Sequence, residues 1–355
     1  MRGNAGYAGG MRAITLVPGQ PGSAELSDVP EPDPGPGDLL VGVVRLGVCG
    51  TDREIVAGEH GEPPEGRDRL VLGHELLGRV LQSPEGGDLE PGELVAGIVR
   101  RPDPVPCACC ARGEWDMCRN GRYTERGIKG LDGYGAERVT LEPEFAVRAD
   151  PRLGELGVLI EPASIVAKAW EQIDRIARRA CQEHEQVLIT GAGPIGLLAA
   201  LMGVQRGRRV HVLDRAETGV KPRLVSALGA EYHTDLADLP EPDVVVECTG
   251  AAELVTDAMQ HTAPGAIVCL TGVASSRTLS VDVGALNNEL VLENDVVFGS
   301  VNANRRHFDA AGEALAGADR DWLGALITRS VPLERWQEAL EKGDDDVKTV
   351  IEFDG

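Results

Sequence analysis

The rhythm of hydrophobic and polar positions changes near residue 160. Ahead of it the apolar runs are short, as in Met11-Arg12-Ala13-Ile14-Thr15-Leu16-Val17, residues 39–48 and residues 76–81, with Gly and Pro crowded between them. Such runs bounded by turn residues predict strands, and the Pro-Gly clusters at 30–37 and 62–66 predict surface loops. This part reads as an irregular all-β unit. From about residue 160 onward, strand-length and helix-length segments alternate (186–190, 195–205, 209–214), and residues 243–248 and 266–271 add two more apolar runs, each followed by a turn. Strands alternating with crossover helices predict a parallel sheet. Beyond residue 301 come amphipathic segments at 307–315 and 333–340 and a closing strand at 347–353, which is expected to pack back on the first unit. Residues 187–205 carry no charge and match a membrane span in length. Four glycines and Pro194 make them instead a strand, a tight turn and a buried helix.

At 355 residues with 42% hydrophobic content, the chain suggests two domains rather than one. Against 35 Lys+Arg stand 57 Asp+Glu, a net charge of −22. So acidic a chain disfavours nucleic acid or an anionic membrane as partner. Aromatic residues amount to 3%, too few for base-stacking platforms. Lys129, Lys168, Lys221, Lys342 and Lys348 are the only lysines, a deficit that an Arg-rich coding bias and a salty cytoplasm explain equally well. No charged segment followed by an apolar core opens the chain. A cytoplasmic protein is expected, with the Gly-rich residues 1–10 as an extension ahead of the fold.

Gly191-Ala192-Gly193-Pro194-Ile195-Gly196 follows the predicted strand 186–190 and opens a helix. In that context Gly191 permits the tight turn, Gly193 lets backbone approach a pyrophosphate, and Gly196 lets the helix pack close to the strand. The helix N-terminus offers its free N–H groups to the diphosphate. Asp214 ends the next strand, where it accepts hydrogen bonds from ribose hydroxyls and repels a 2′-phosphate. NAD is therefore the expected coenzyme. Arg215 beside it is able to pair with that phosphate, which keeps NADP open.

In the first unit lie Cys49-Gly50-Thr51-Asp52 and Gly73-His74-Glu75, with Glu161-Pro162 at its far edge. A thiolate, an imidazole and a carboxylate make a three-ligand zinc set with one position left for water or substrate. Taken singly, Cys49 reads as a small buried hydrophobe, His74 as a core histidine and Glu161 as a helix N-terminal charge. Their order ahead of a dinucleotide motif favours the metal.

The stretches Gly47-Val48-Cys49-Gly50-Thr51-Asp52, Val71-Leu72-Gly73-His74-Glu75, the 191–196 loop and Glu247-Cys248-Thr249-Gly250 resemble the medium-chain, zinc-dependent alcohol and polyol dehydrogenases. Arg100-Arg101-Pro102, Glu125-Arg126-Gly127-Ile128, Leu159-Ile160-Glu161-Pro162, Gly299-Ser300-Val301-Asn302 and the terminal Lys348-Thr349-Val350-Ile351-Glu352-Phe353 resemble the glucose dehydrogenase branch. The resemblance runs from Met11 to the end. It implies an α/β protein: a GroES-like irregular β catalytic domain at 11–162 and 303–355, interrupted by a Rossmann, doubly wound parallel-sheet domain at 163–302, with the active site in the cleft between them. It maps the catalytic zinc to Cys49, His74 and Glu161, with Glu75 able to enter the coordination sphere and Asp52 orienting His74. Thr51 matches the hydroxyl that takes the substrate proton, and His60 either continues that relay or is a loop histidine without a role. Thr249 and Asn302 are implied coenzyme contacts, and Glu125 and Asn302 implied sugar contacts.

The family's cysteine lobe runs C-x2-C-x2-C-x7-C. Cys107, Cys110 and Cys118 fit its last three positions, and Pro104 occupies the first. Disulfides are not expected in a cytosolic chain, so a structural zinc is the natural reading. Asp103 or Cys109 is its fourth ligand, unless the lobe has lost its metal. Cys181, Cys248 and Cys269 are expected to be packed or strand residues.

The implied activity is hydride transfer from a sugar hydroxyl to NAD(P), with glucose oxidised at C1 to the lactone as the first candidate. A polyol or cyclitol dehydrogenase is the second. The third is a non-catalytic nicotinamide-binding sensor, against which the intact Cys49, His74 and Glu161 argue. Dimers or tetramers paired through the sheet edge at 296–300 are the implied assembly.

Overall fold

The computed structural model describes residues 10–181, 183–273, 278–343 and 345–354. The expected N-terminal extension, apart from Gly10, lies outside them. The chain divides into two compact units. One comprises Met1–Glu161, Ala303–Gly312 and Ile327–Gly355, the other Pro162–Asn302 and Glu313–Leu326.

The first unit is built on Leu39–Val48, ten residues whose apolar side chains are mostly buried. Its sheet runs Ala146–Arg148, Leu94–Gly97, Glu75–Gln82, Leu39–Val48, Lys348–Glu352, Ile327–Pro332, and Arg138–Leu141 also pairs with the Leu39–Val48 strand. The closing strand thus inserts antiparallel beside Leu39–Val48, with Thr349 opposite Val48. On the other side Gly47 lies opposite Glu75. Three strand ends therefore meet at one corner, where Cys49 follows one strand, His74 precedes the second and Lys348 opens the third.

In the second unit six parallel strands lie in the order Glu231–His233, Arg209–Leu213, Gln186–Thr190, Val244–Glu247, Ile267–Leu270, Val296–Gly299. That is a doubly wound sheet whose order reverses at the central strand Gln186–Thr190. Helix Pro194–Gln205 follows this strand, and its residues from Gly196 to Gly203 are all buried. A Cβ at Gly203 would stand 2.9 Å from Val210, so helix and strand pack closer than an alanine allows. This accounts for the uncharged stretch at 187–205, and no helix of the described residues is long and apolar enough to cross a membrane.

Two expectations need correction. Residues 313–326 pack with the parallel-sheet unit instead of returning with the rest of 303–355. Trp322, Leu323 and Leu326 bring an apolar face that needs cover, Trp322 Nε1 donates to Leu224 O at 2.9 Å, and Gln205 Nε2 donates to Ala314 O at 2.8 Å. Cys181 is exposed in a bend, not packed, whereas Cys269 is buried in its strand.

Candidate active site

The corner where three strand ends meet holds a dense set of buried charges. Asp52, His74, Glu75, Glu161 and Lys348 are each at most 6% exposed. Cys49 Sγ stands 3.2 Å from His74 Nε2, and donor atoms of Cys49, His74 and Glu75 all lie within 4.8 Å of one another. Asp52 organises two of them. One carboxylate oxygen accepts the Cys49 backbone N–H at 2.9 Å, capping helix Gly50–Val56, and the other lies 3.2 Å from His74 Nδ1. With Nδ1 committed to Asp52, Nε2 is the nitrogen left for a metal. Burial alone would push the His74 pKa down. The Asp52 carboxylate and the Cys49 sulfur outweigh it and hold the imidazole well above its usual range.

Lys348 is the residue that the sequence motifs did not mark as functional. Its ammonium pairs with Glu75 Oε2 and donates to Val48 O at 3.2 Å. Burial opposes the charge, yet Glu75 and Cys49 raise the ammonium pKa. The signal open in the sequence was one of only five lysines placed at the start of the apolar closing strand. Gly47 makes room for the pair, since a Cβ there would lie 2.1 Å from Glu75 Oε2.

Glu161, expected as a ligand, lies in the first turn of helix Ile160–Ala177 and outside the 4.8 Å set. Burial first, and then the Glu75 carboxylate, push its pKa up to about 8. Glu75, expected to be able to enter the coordination sphere, stands within the set. Thr51 is half-buried in the helix that Cys49 caps. His60 is exposed, 3.9 Å from Glu54, and belongs to no metal-binding group among the described residues. Glu125 is clasped by the buried Arg100, whose Nε donates to Oε1 at 3.0 Å while its guanidinium lies 3.7 Å over the Tyr123 ring.

The glycine loop has the local geometry that a diphosphate needs. Gly191 sits at φ +89, in the left-handed region, and a Cβ at Gly196 would meet Gly191 O at 1.8 Å. Gly193 and Pro194 start the helix, and nothing lies within 4 Å of where a Gly193 Cβ would be. Ile195 is half-buried in the first turn. Asp214 Oδ2 accepts the Ala192 N–H at 2.7 Å and Oδ1 the Ala216 N–H at 3.1 Å, with Lys221 Nζ 3.4 Å from both oxygens. Burial opposes ionisation, but these donors keep the carboxyl below its usual range. Arg215 is exposed. Exposed Thr249 donates its N–H to the fully buried Glu247 at 2.7 Å, and its methyl group lies where a Cβ on Gly191 would come within 2.8 Å. Asn302 adopts φ 62 beside Val301, whose carbonyl takes the Lys168 ammonium at 2.9 Å.

In the cysteine lobe, sulfurs of Cys107, Cys110 and Cys118 lie within 4.8 Å of one another. The Cys107–Cys110 separation of 3.7 Å matches the roughly 3.8 Å between two sulfurs bound tetrahedrally to zinc. Asp103 does not join them. Its Oδ1 accepts the Val105 N–H at 2.8 Å and its Oδ2 faces Arg122 Nε at 3.3 Å, a local turn that claims the carboxylate. Cys109 is also outside the group.

A doubly wound coenzyme unit joined in one chain to a β unit with a Cys-His-Glu corner defines a nicotinamide- and zinc-dependent dehydrogenase, and the donor set suits zinc. The "Glucose dehydrogenase C-terminus" family model matches residues 154–353 and the "Alcohol dehydrogenase GroES-like domain" model residues 35–151. The chain is 40% identical to a glucose 1-dehydrogenase of Methanocella arvoryzae, over 97% of this chain and 99% of that protein. It is likewise 40% identical to one from Thermoproteus tenax, over 96% and 99%. The structure of Haloferax mediterranei glucose dehydrogenase in complex with NADP, Zn and gluconolactone superposes with a TM-score of 0.89 at 35% identity, covering 97% of this chain and all of that one. The chain belongs to the zinc-dependent medium-chain dehydrogenase family, in its glucose dehydrogenase branch.

Proposed function

We propose that the protein oxidises glucose at C1 to gluconolactone, passing the hydride to NAD(P), with a zinc ion held by Cys49, His74 and Glu75. The observation that carries this reading is the gathering of those donors within 4.8 Å, in a chain 40% identical to glucose 1-dehydrogenases along nearly its whole length. When bound, the zinc supplies a Lewis acid that acidifies the sugar hydroxyl. The protein's own groups set the stage. Asp52 fixes the His74 ring, and Lys348 balances the carboxylates of Glu75 and Glu161, which would otherwise repel. Glu161, coupled in charge to Glu75, is the further oxygen donor. Thr51 Oγ1 takes the hydroxyl proton, and exposed His60 passes it to water.

The N–H groups at the start of helix Pro194–Gln205 bind the coenzyme diphosphate, with Thr249 and Asn302 as further contacts. Asp214 receives the ribose hydroxyls and favours NAD over NADP. Arg215 and Lys221 moderate that preference. Glu125, fixed by Arg100, and Asn302 hold sugar hydroxyls. Cys107, Cys110 and Cys118 hold a structural zinc. We place the enzyme in the cytoplasm as a homodimer or homotetramer. Support for the assembly comes from the edge strand Val296–Gly299 and the exposed Val291 and Leu292 on the preceding helix.

The test is a panel of aldoses, polyols and cyclitols with zinc-loaded protein and each coenzyme, followed by reduced-nicotinamide absorbance. Glucose is expected to lead. A ring secondary alcohol outpacing every aldose overturns the substrate, and no turnover in the presence of zinc overturns catalysis altogether.

A further inference from the structure

In the parallel-sheet unit, a third cluster of metal-ligating side chains plays no part in the chemistry above. Strand Arg209–Leu213 pairs in parallel with the edge strand Glu231–His233, His211 opposite Glu231 and Leu213 opposite His233. Residues two apart on a strand share a face, so Glu231 and His233 flank His211 on one side of the sheet. His211 Nδ1 lies 3.0 Å from His233 Nε2, and Glu231 Oε2 lies 3.7 Å and 4.0 Å from those two nitrogens. The circle through three atoms so spaced has a radius of about 2.1 Å, the length of a zinc–nitrogen or zinc–oxygen bond. One point thus lies at bonding distance from all three donor atoms, where an ion would replace the present N···N contact between the two rings.

We propose that His211, His233 and Glu231 bind one divalent first-row transition ion, such as Zn2+ or Ni2+, at a site separate from both the catalytic corner and the cysteine lobe. Two imidazoles and a carboxylate are the borderline nitrogen and oxygen donors that these ions favour. The side chains of His211 and His233 are 8% and 14% exposed and Glu231 is 72% exposed, so packing fixes the nitrogens while the carboxylate side opens to water. The carboxamide orientation that satisfies both neighbours has Gln186 donating to His211 Nε2 at 3.1 Å and accepting from Arg209 Nη2 at 3.0 Å. An ion on Nδ1 would move the ring proton to Nε2 and call for the opposite orientation, in which Gln186 Oε1 faces Nε2 at the same 3.1 Å and supplies the outer hydrogen bond that orients a ligating histidine. The nearby Arg209 opposes a cation, but Glu185 pairs with it at 2.8 Å. A bound ion would tie the edge strand to its neighbour beside Asp214, since His233 O accepts the Asp214 N–H at 3.1 Å.

Zinc-loaded enzyme, dialysed free of excess metal and titrated with Ni2+ by calorimetry, tests this site without reading activity. One Ni2+ per chain is expected, with no zinc released and a rise in Tm. His233→Gln should weaken binding by more than about 100-fold, beyond the effect of losing an outer hydrogen bond. The exposed Glu231→Gln, which leaves the packing intact, should weaken it about 10-fold. Three results overturn the proposal: no binding at about 1 mM Ni2+, unchanged affinity in both variants, or stoichiometric zinc release, which would put the nickel in the thiolate sites.

Discussion

The corner at Cys49 and the loop at Cys107 each gather three metal-binding side chains within 4.8 Å, by different means. At the corner the donors come from two strand ends far apart in sequence, Cys49 after one and His74-Glu75 at the start of another, and the buried His74 and Glu75 each need a partner of their own. Asp52 faces His74, Lys348 faces Glu75, and the Cys49 N–H is capped. In the loop the three cysteines fall within twelve residues, on and around short 3-10 turns. There backbone N–H groups do the organising. Arg119 donates to Cys107 Sγ at 3.5 Å, and with further N–H donors it draws that thiol down to about 6. A buried site that must sit beside a reacting sugar is built by tertiary structure, whereas a site that only braces a loop can be built locally.

The largest test of this contrast sets one cysteine against another. Cys49→Ala should lower kcat/KM for the preferred sugar by at least about 10,000-fold, roughly 5 kcal/mol of transition-state stabilisation. Cys107→Ala should leave kcat/KM within about 10-fold while lowering Tm, because the structural zinc proposed there would brace the loop rather than react. Comparable losses of activity in the two variants would erase the distinction.

Next in size is the buried lysine. Lys348→Met strands the Glu75 charge and should cost about 3–5 kcal/mol in urea unfolding. Adding Glu75→Gln should restore much of that loss. A single variant as stable as the parent would show that Lys348 does not balance the corner.

The pH response of metal-stripped protein should be smaller and has a definite sign. The folded state holds the Glu161 proton more tightly than the unfolded chain, since its pKa is raised from 4.5 to about 8. Stability contributed by protonated Glu161 is therefore present at low pH and lost as pH rises across that window. Glu161→Gln should flatten this part of the pH–stability curve, and an unchanged slope would assign it to other groups. Smallest is a reactivity shift in the lobe. With metal removed, Cys107 should alkylate with a midpoint near pH 6, below the about 8.5 of a free cysteine. Mass-spectrometric mapping of iodoacetamide adducts at graded pH checks it.

The coenzyme loop was legible from sequence because its constraints are local. Gly191 needs a positive φ, and Gly196 must let Gly191 O approach within a few residues of chain. Cys49 and His74 were legible as short motifs, although their meeting depends on the register that sets Gly47 opposite Glu75. Glu161 and Asp103 show the limit of that reading. Glu161 was implied by the family resemblance and Asp103 was one of two alternatives, and neither lies within the 4.8 Å groups. For Asp103 the reason is a hydrogen bond to Val105, two residues along, that claims the carboxylate.

The sequence alone determined the alternation of strands and helices, the glycine turn and the kinds of donor available, because these depend on neighbours within a few residues. Tertiary structure decided the rest. Lys348 donates to the carbonyl of a residue 300 positions away, and His211 meets His233 only through the pairing of two parallel strands. Such contacts are set by strand register and burial. Those depend on how the whole chain closes its sheets, and no window of the sequence contains both partners of the contact.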